Sequence, residues 1–474
     1  MMNDASYFFC GIGGSGMLPL AMIVQSRGHV IQGSDRSRDQ GRTPEKFDWL
    51  THRGIGLFAQ DGSGVTSPNQ IVVASGAIEN TVPDIAAARK AGATLMTRPE
   101  LLSQLFNASP SRIGVAGTSG KSTITGMIAW ILHQAGLEPT VMNGAVMKNF
   151  TRPDHPFASA LIGAETLFVA EVDESDGSIS RYDPTVAIVS NISLDHKSMQ
   201  ELTDLFGGFA SRAGIAVLNL DNAGTASLAA TMIRQNEEAG TDYGVVTFSV
   251  EGGEADFRAE TLQPLPAGMS FSVSEHGKPG LEVVLNVPGA HNVANALAAL
   301  AAVRAVGVAL PDAIAALQTF TGIRRRLEVV GTRSGITVID DFAHNPDKIA
   351  ATLRTLHAFE GRLLILFQPH GFGPLRLMKS EFIEGFASLM NDEDILLLPE
   401  PVYYGGTTDR SVGSLDIAQG IRSRGRKAEA LPTRTACGER LVELARPGDR
   451  ILIMGARDDT LSEFAQALLD QLEH

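Results

Sequence analysis

Cysteine is nearly absent from this 474-residue chain: Cys10 and Cys437 stand far apart and lack the paired spacing of a zinc site. That excludes a disulfide framework and fits a reducing compartment. Aromatic residues are sparse, and cations are outnumbered, with 39 Lys and Arg against 53 Asp and Glu for a net charge of -14. Such a balance excludes a general binder of nucleic acid or anionic membranes, so any anionic substrate has to be held by placed groups. Long apolar runs are lacking too. Arg304 interrupts the Ala-rich run from Val293, and Asp4 precedes the first apolar stretch, Tyr7–Cys10, with no cationic region before it. Neither a membrane span nor a signal peptide is expected, and the composition points to a cytoplasmic protein with no nucleic-acid partner and no membrane insertion.

Glycine, by contrast, is abundant, and strand-like stretches alternate with helix-like ones, the pattern of an α/β chain. The length exceeds what one hydrophobic core usually serves, so several domains are expected. The most informative stretch is Ile113–Gly126, in which an apolar run enters Gly117-Thr-Ser-Gly-Lys-Ser-Thr123 and then a helical pattern. Strand, glycine loop and helix form the setting in which backbone N–H groups wrap a polyphosphate. The loop is shorter than the common eight-residue phosphate loop, because Val115 stands five places before Gly120.

Near the N-terminus Ser6–Cys10 runs into Gly11-Ile-Gly-Gly-Ser-Gly16, a helical pattern to about Arg27, a second strand His29–Gln32 and the acidic Asp35. Gly11, Gly13 and Gly16 have the Gly-x-Gly-x-x-Gly spacing of a dinucleotide fold, with Gly14 and Ser15 inside the turn. A plain strand-to-helix turn has the same appearance, and the motif does not say which nucleotide binds. Gln70–Ala74 reads as a buried strand ending in Ser75, and polar residues 107–111 mark a boundary.

Beyond the phosphate loop, Phe168–Val172 runs into Glu171-Val-Asp-Glu-Ser-Asp176, and Val186–Asn191 runs into Ile192-Ser-Leu-Asp-His196. Carboxylates and an imidazole at strand ends beside a phosphate loop suit a divalent cation, with Ser122, Glu171 and His196 as ligands; a solvated acidic loop is the plainer alternative for Asp173, Glu174 and Asp176. Residues 240–287 suggest an irregular β-rich insertion. Thr337–Asp341 is a strand leading to Asp340-Asp-Phe-Ala-His-Asn-Pro-Asp347 and a helix from Lys348, with Asp347 available as a plain N-cap.

Taken together, Gly117–Thr123, Glu171–Asp176 and Asn191–His196 resemble the ATP-binding central domain of the Mur ligases, the amide-forming enzymes of peptidoglycan precursor synthesis. The Gly11–Gly16 turn, Gly33–Asp35 and the strand end at Ser75 resemble the UDP-sugar-binding domain of the alanine-adding branch. Pro288–Asn295 is similar to the family segment on the adenine side, which carries over Asn292 and Asn295, and Gly322–Arg326 is similar to the end of the central domain. This resemblance implies three α/β domains. They are a Rossmann-like UDP-binding domain over 1–108, a P-loop ATPase-like central domain with a mostly parallel sheet over 109–324, and a Rossmann-like C-terminal lid over 325–474.

It also implies ATP and Mg2+ as cofactors. The nucleotide would be bound by Gly117, Thr118, Ser119, Gly120, Lys121, Ser122, Thr123, Asn292, Asn295, Arg326 and Asp341, with Lys121, His196 and His344 catalytic. Gly11, Gly13, Gly14, Ser15, Gly16, Asp35, Ser75, His370 and Arg376 are the implied substrate residues. The implied partners are a UDP-N-acetylmuramate-type sugar nucleotide and an amino acid, with alanine the first choice and a preformed short peptide or another amino acid the alternative. A non-catalytic regulatory homologue is a further alternative, and the assembly would be a monomer or homodimer. Two departures fall on the amine side. Gln368-Pro-His370 is followed by Gly371-Phe-Gly-Pro-Leu before Arg376 rather than by an Arg-rich run, and Asn345 stands where that branch has a second histidine.

Overall fold

The computed structural model describes residues 6–76, 81–193, 197–240, 244–265, 268–402, 409–456, 458 and 460–472. The chain divides into two compact units, Met1–Ile323 and Arg324–His474. Unit 1 holds two sheets and unit 2 one.

The first sheet has strands β1 (Ser6–Cys10), β2 (Val30–Ser34), β3 (Gly56–Phe58), β4 (Gln70–Ala74) and β5 (Thr94–Thr97) in the order β3-β2-β1-β4-β5. Every pairing is parallel. Parallel sheets carry helices on both faces, which is why strands such as Tyr7-Phe-Phe9 read as unbroken apolar runs. The strand order reverses between β1 and β4, so the loops after these two strands diverge and leave a crevice at their carboxyl ends.

The second sheet contains β6 (Ser111–Ala116), β7 (Pro139–Met142), β8 (Ala160–Leu161), β9 (Ala164–Glu171), β10 (Val186–Val189), β11 (Ile215–Asn219), β12 (Gly244–Ser249), β13 (Phe257–Leu265), β14 (Gly268–Glu275) and β15 (Leu281–Leu285). Their order is β15-β14-β13-β12-β11-β10-β6-β9-β7-β8. The segment expected to be an irregular β-rich insertion is β-rich and extends this sheet, with β12 parallel to β11 and β13, and β14 and β15 added antiparallel. Its irregular feature is a shift in the register of β13 on β14 between Glu260 and Gln263. Helix Lys121–Gln134 lies against helix Ala290–Ala305. Gly126 in the first of these helices leaves room for Ile323, since a Cβ on it would stand 2.4 Å from Ile323 Cδ1.

The two sheets of unit 1 share a core. Phe9, Ile12 and Leu20 of the first pack in one buried cluster with Phe168, Phe206 and Phe209 of the second. Phe106, on helix Arg98–Asn107, stacks edge-on against Phe168 and Tyr182, with centroids 5.8 and 5.4 Å away. Residues 108–109 thus separate two sheets within one compact unit, and the division between units falls at Ile323–Arg324.

Unit 2 has β16 (Glu328–Arg333), β17 (Ile336–Asp341), β18 (Leu363–Gln368), β19 (Ile395–Pro399), β20 (Lys427–Leu431) and β21 (Arg450–Gly455), ordered β16-β17-β21-β18-β19-β20. Only β16 is antiparallel to its neighbour. Strand β18 is buried along its whole length, as an interior parallel strand must be.

Because Phe168 is fully buried where the two sheets of unit 1 meet, Phe168→Ala is expected to cost about 3–5 kcal/mol. Urea unfolding measures it, and a loss below about 1 kcal/mol would contradict the shared core.

Candidate active site

The phosphate loop between β6 and helix Lys121–Gln134 takes its shape from two glycines. Gly117 has φ +133° and Gly120 φ +84°, values that L side chains rarely adopt. Space forbids a side chain as well. A Cβ on Gly117 would stand 2.1 Å from Ser190 Oγ, and one on Gly120 would stand 2.5 Å from Asn295 Oδ1. The segment after β10 straps the loop down. Thr118 N–H donates to Asn191 O at 3.1 Å, and Ser119 N–H donates to Asn191 Oδ1 at 3.0 Å. Ser190 Oγ donates to Ser119 O at 2.7 Å, and Ser193 N–H to Thr118 Oγ1 at 3.0 Å. Asn191 and Ser190 are thus working parts of the loop that residue type alone did not single out, although Asn191 opens one of the quoted motifs.

Lys121 begins the helix with its Nζ donating to Gly117 O at 2.7 Å and to Glu174 Oε2 at 2.8 Å. Both side chains of the ion pair are largely buried. Burial pulls the lysine pKa down, but the carboxylates of Glu174, Glu171 and Asp173 outweigh it and leave the ammonium held above its ordinary value. Ser122 Oγ donates to Glu171 Oε2 at 2.9 Å, and Gly144 N–H donates to the same oxygen at 2.9 Å. The acidic run therefore divides its labour: Glu171 faces the hydroxyl and Glu174 faces the lysine. Thr123 is buried in the first helical turn. Asn292 Nδ2 donates to Pro288 O at 2.7 Å, and Asn295 Nδ2 to Asn292 Oδ1 at 3.0 Å, which turns Asn295 Oδ1 toward Gly120. His196, expected as a catalytic residue and metal ligand, lies with Leu194 and Asp195 outside the described residues.

At the first sheet the glycine turn follows β1, with Gly11 at φ +76° and Gly14 and Ser15 exposed. Asp35 caps a short helix by accepting from Ser37 N–H at 2.8 Å, and its other oxygen accepts from Gly13 N–H at 2.8 Å. Asp35, one of the implied substrate residues, therefore has both oxygens engaged by backbone amides, and it holds the turn in shape. Lys46 Nζ donates to Gly13 O at 3.2 Å. Ser75 is exposed at the end of β4, and beside it a Cβ on Gly76 would stand 3.2 Å from Asp176 Oδ2. The nucleotide-type turn of the first sheet and the acidic loop of the second thus approach each other within unit 1.

In unit 2, His344 and His370 meet edge-on with centroids 5.3 Å apart. His344 Nδ1 lies 2.9 Å from Phe342 O, which fixes the proton on Nδ1 and leaves Nε2 as an acceptor. Burial, together with the charges of Lys348 and Arg326 and the ring of His370, pushes His344 down to about 3. Asp341 is buried, with its carboxylate accepting from Leu327 N–H at 3.1 Å and from the Thr352 hydroxyl. Arg326 stacks over Phe342 with its Cζ 4.7 Å from the ring centroid. Its neighbour Arg325, which sequence reasoning passed over, is buried and bonds Asp340, Gly455 O and Asp458 O. Arg376 pairs with Asp409 at an exposed position. The cap of helix Pro346–His357 is Asn345, which accepts from Lys348 N–H at 3.0 Å, and not Asp347. Pro346 at the first helical position fixes that boundary. Among the described residues no group of three or more His, Cys, Asp or Glu is placed to hold a metal.

A glycine loop closed by Lys-Ser at a helix start, with a carboxylate on the serine, is the arrangement of an α/β protein that uses a nucleotide triphosphate. The comparisons carry this further. The chain matches the Mur ligase family catalytic domain over residues 6–110, the Mur ligase middle domain over 115–303, and the Mur ligase glutamate ligase domain over 325–457. It belongs to the Mur ligase family, the ATP-dependent ligases of peptidoglycan synthesis. A UDP-N-acetylmuramate–L-alanine ligase of Sorangium cellulosum is 36% identical over 95% of this chain and 93% of its own length. That of Dinoroseobacter shibae is 33% identical over 97% of this chain and 96% of its own. Among solved structures, the UDP-N-acetylmuramate-alanine ligase of Thermotoga maritima has a TM-score of 0.79 at 26% identity, covering 98% of each chain. A murein peptide ligase of Psychrobacter arcticus has a TM-score of 0.70 at 25% identity, covering 99% of each.

Two outcomes follow from this geometry. Gly117→Ala places a methyl group on Ser190 and a side chain in a disfavoured conformation, so ATP affinity measured by calorimetry is expected to fall about tenfold or more. His344 stays neutral in the fold but takes up a proton near pH 6.5 when unfolded. Its contribution is therefore complete above about pH 6.5 and is lost as pH falls toward 3. The melting temperature is expected to drop between pH 7.5 and 5, and His344→Gln is expected to shrink that drop.

Proposed function

We propose that this chain joins the carboxylate of UDP-N-acetylmuramate to the amino group of L-alanine, using ATP and Mg2+, in the cytoplasm. The observation that carries the reading is the cluster of Lys121, Ser122 and Glu171 at the strapped glycine loop, in a chain related over nearly its whole length to alanine-adding ligases. A carboxylate is a poor acylating agent because its oxygen is a poor leaving group; phosphorylation by ATP converts it to an acyl phosphate that an amine can attack. Lys121 offsets the charge that develops on the transferring phosphoryl group, and the amides at the start of helix Lys121–Gln134, which Asn191 does not engage, hold the phosphates in line. Ser122 Oγ and Glu171 Oε2 form a hard-oxygen pair that fits Mg2+, and Gly144 leaves the space beside Glu171 free of a side chain. Bound there, the cation would supply further neutralisation of phosphate charge. In this reading His344 and His370 serve the amine side: a neutral imidazole with an open Nε2 accepts a hydrogen bond from an ammonium or amine.

A second reading is addition of a preformed peptide. The segment after His370 favours it. Gly371 has φ +148°, and the residues following it form the short helix Phe372–Leu377 whose Arg376 is tied to Asp409, in place of an Arg-rich amine site.

Phosphate release measured with UDP-N-acetylmuramate, ATP and a panel of amino acids and muropeptides separates the two. Release with alanine supports the first reading, and release with a tripeptide alone replaces it with the second. Lys121→Ala is expected to abolish release while sugar-nucleotide binding persists; an active Lys121→Ala enzyme would sink the mechanism.

A further inference from the structure

The reversal of strand order in the first sheet puts three segments at one edge: the glycine turn after β1, Ser75–Gly76 after β4, and Arg98 directly after β5. Part of the turn's donor capacity is already committed. Gly13 N–H is used by Asp35, Gly14 N–H donates to Gly11 O at 3.0 Å, and Met17 N–H donates to Gly14 O at 3.0 Å. Its own side chains carry no charge. Arg98 lies alongside it, with Cδ, Nε and Nη1 at 3.1, 3.4 and 3.5 Å from where a Cβ on Gly16 would stand. The absence of a side chain at Gly16 is what lets the guanidinium lie there. Arg98 is half-buried, and no hydrogen bond or ion pair ties its guanidinium to another described residue. Elsewhere in unit 1 arginines at comparable exposure are committed: Arg112 to Asp183 O and Ser109 O, and Arg212 to Tyr182 O and Ile179 O.

We propose that Arg98 binds the diphosphate of the sugar nucleotide, clamping it across Gly16 at the first turn of helix Met17–Ser26. The proposal deepens the function proposed above and rests on its assignment of the UDP-sugar to the first sheet. A guanidinium presents parallel N–H donors that match phosphate oxygens two at a time, which an ammonium does not. The Arg98 charge also reaches Asp173, whose carboxyl is raised by burial but brought below its ordinary range by Ser175 and the charges of Lys121 and Arg98. Asp173 thus stands between a cation of the ATP loop and a cation of the sugar-nucleotide turn.

The test is calorimetric binding of UDP, UDP-N-acetylmuramate and ATP to the wild-type chain, Arg98→Ala and Arg98→Lys. Charge-assisted hydrogen bonds of this kind predict that Arg98→Ala weakens UDP and UDP-N-acetylmuramate alike by roughly 10- to 100-fold, with Arg98→Lys recovering only part. ATP affinity and melting temperature are expected to stay at wild-type values. Unchanged affinity for UDP overturns the assignment, as does a loss confined to UDP-N-acetylmuramate, which would place Arg98 on the muramyl carboxylate. A wild-type chain that binds neither uridine ligand overturns the functional reading as well, so the two failures are told apart.

Discussion

The centre of unit 1 depends on a steric constraint: two points of the phosphate loop leave no room for a β-carbon. Gly117 is pressed against Ser190, and Gly120 against Asn295. These contacts come from two different elements, the segment after β10 and helix Ala290–Ala305, and each approaches the loop closely. The hydrogen bonds that Ser190 and Thr118 donate and that Asn191 accepts from Ser119 N–H then lock the loop in one conformation. A loop fixed in this way has already lost the conformational entropy that phosphate binding would otherwise cost. The alanine-rich character of helix Ala290–Ala305 follows from the same constraint, since small side chains let it lie close to helix Lys121–Gln134.

The Lys121–Glu174 pair shows how such a loop stays stable. An ammonium buried this far without a counter-ion would cost several kcal/mol, and the pairing with Glu174 and the bond to Gly117 O offset that cost. A triphosphate arriving at the loop meets a lysine that is already neutralised, so part of its attraction is spent on replacing a carboxylate. Glu171, one turn of the acidic run away, is kept for a different task by Ser122 and Gly144.

Much of this was legible in the sequence for identifiable reasons. Interior parallel strands read as apolar runs, so β1 and β4 were found at their observed bounds. Glycine-rich turns need positive φ, so the residues of both loops stood out. What failed to show has physical causes too. Glu171 and Glu174 have the same chemistry and lie three residues apart, and only the fold assigns one to the serine and the other to the lysine. Arg325 and Leu327 take φ +60° and +46°, a conformation that residue type does not announce; it is held by the bonds of the buried Arg325 guanidinium. Asn345 and Asp347 are both good caps, and the proline between them decided for Asn345. The β-rich character of the segment beyond β12 was legible but its pairing was not, because β13 and β15 carry polar residues on an exposed face and the register of β13 on β14 shifts between Glu260 and Gln263.

Asp35 shows how a motif can keep its residues while its local roles move. The spacing of Gly11, Gly13, Gly16 and Asp35 is that of a dinucleotide pocket, in which the acid reaches a ribose. Here the acid turns inward. One oxygen draws in Gly13 N–H and the other caps the helix that follows, so an amide at the front of the turn is withdrawn and the acid is sealed from solvent. Two consequences follow from electrostatics alone. The turn becomes a weaker anion site than an open glycine loop, because a donor is consumed and a carboxylate stands behind it. Compensation then has to come from cations on neighbouring elements, and among the described residues Lys46, bonded to Gly13 O, and Arg98, lying against Gly16, reach the turn. In a chain with a net charge of -14, an anionic ligand is held by individually placed cations of this kind, because the overall field repels it.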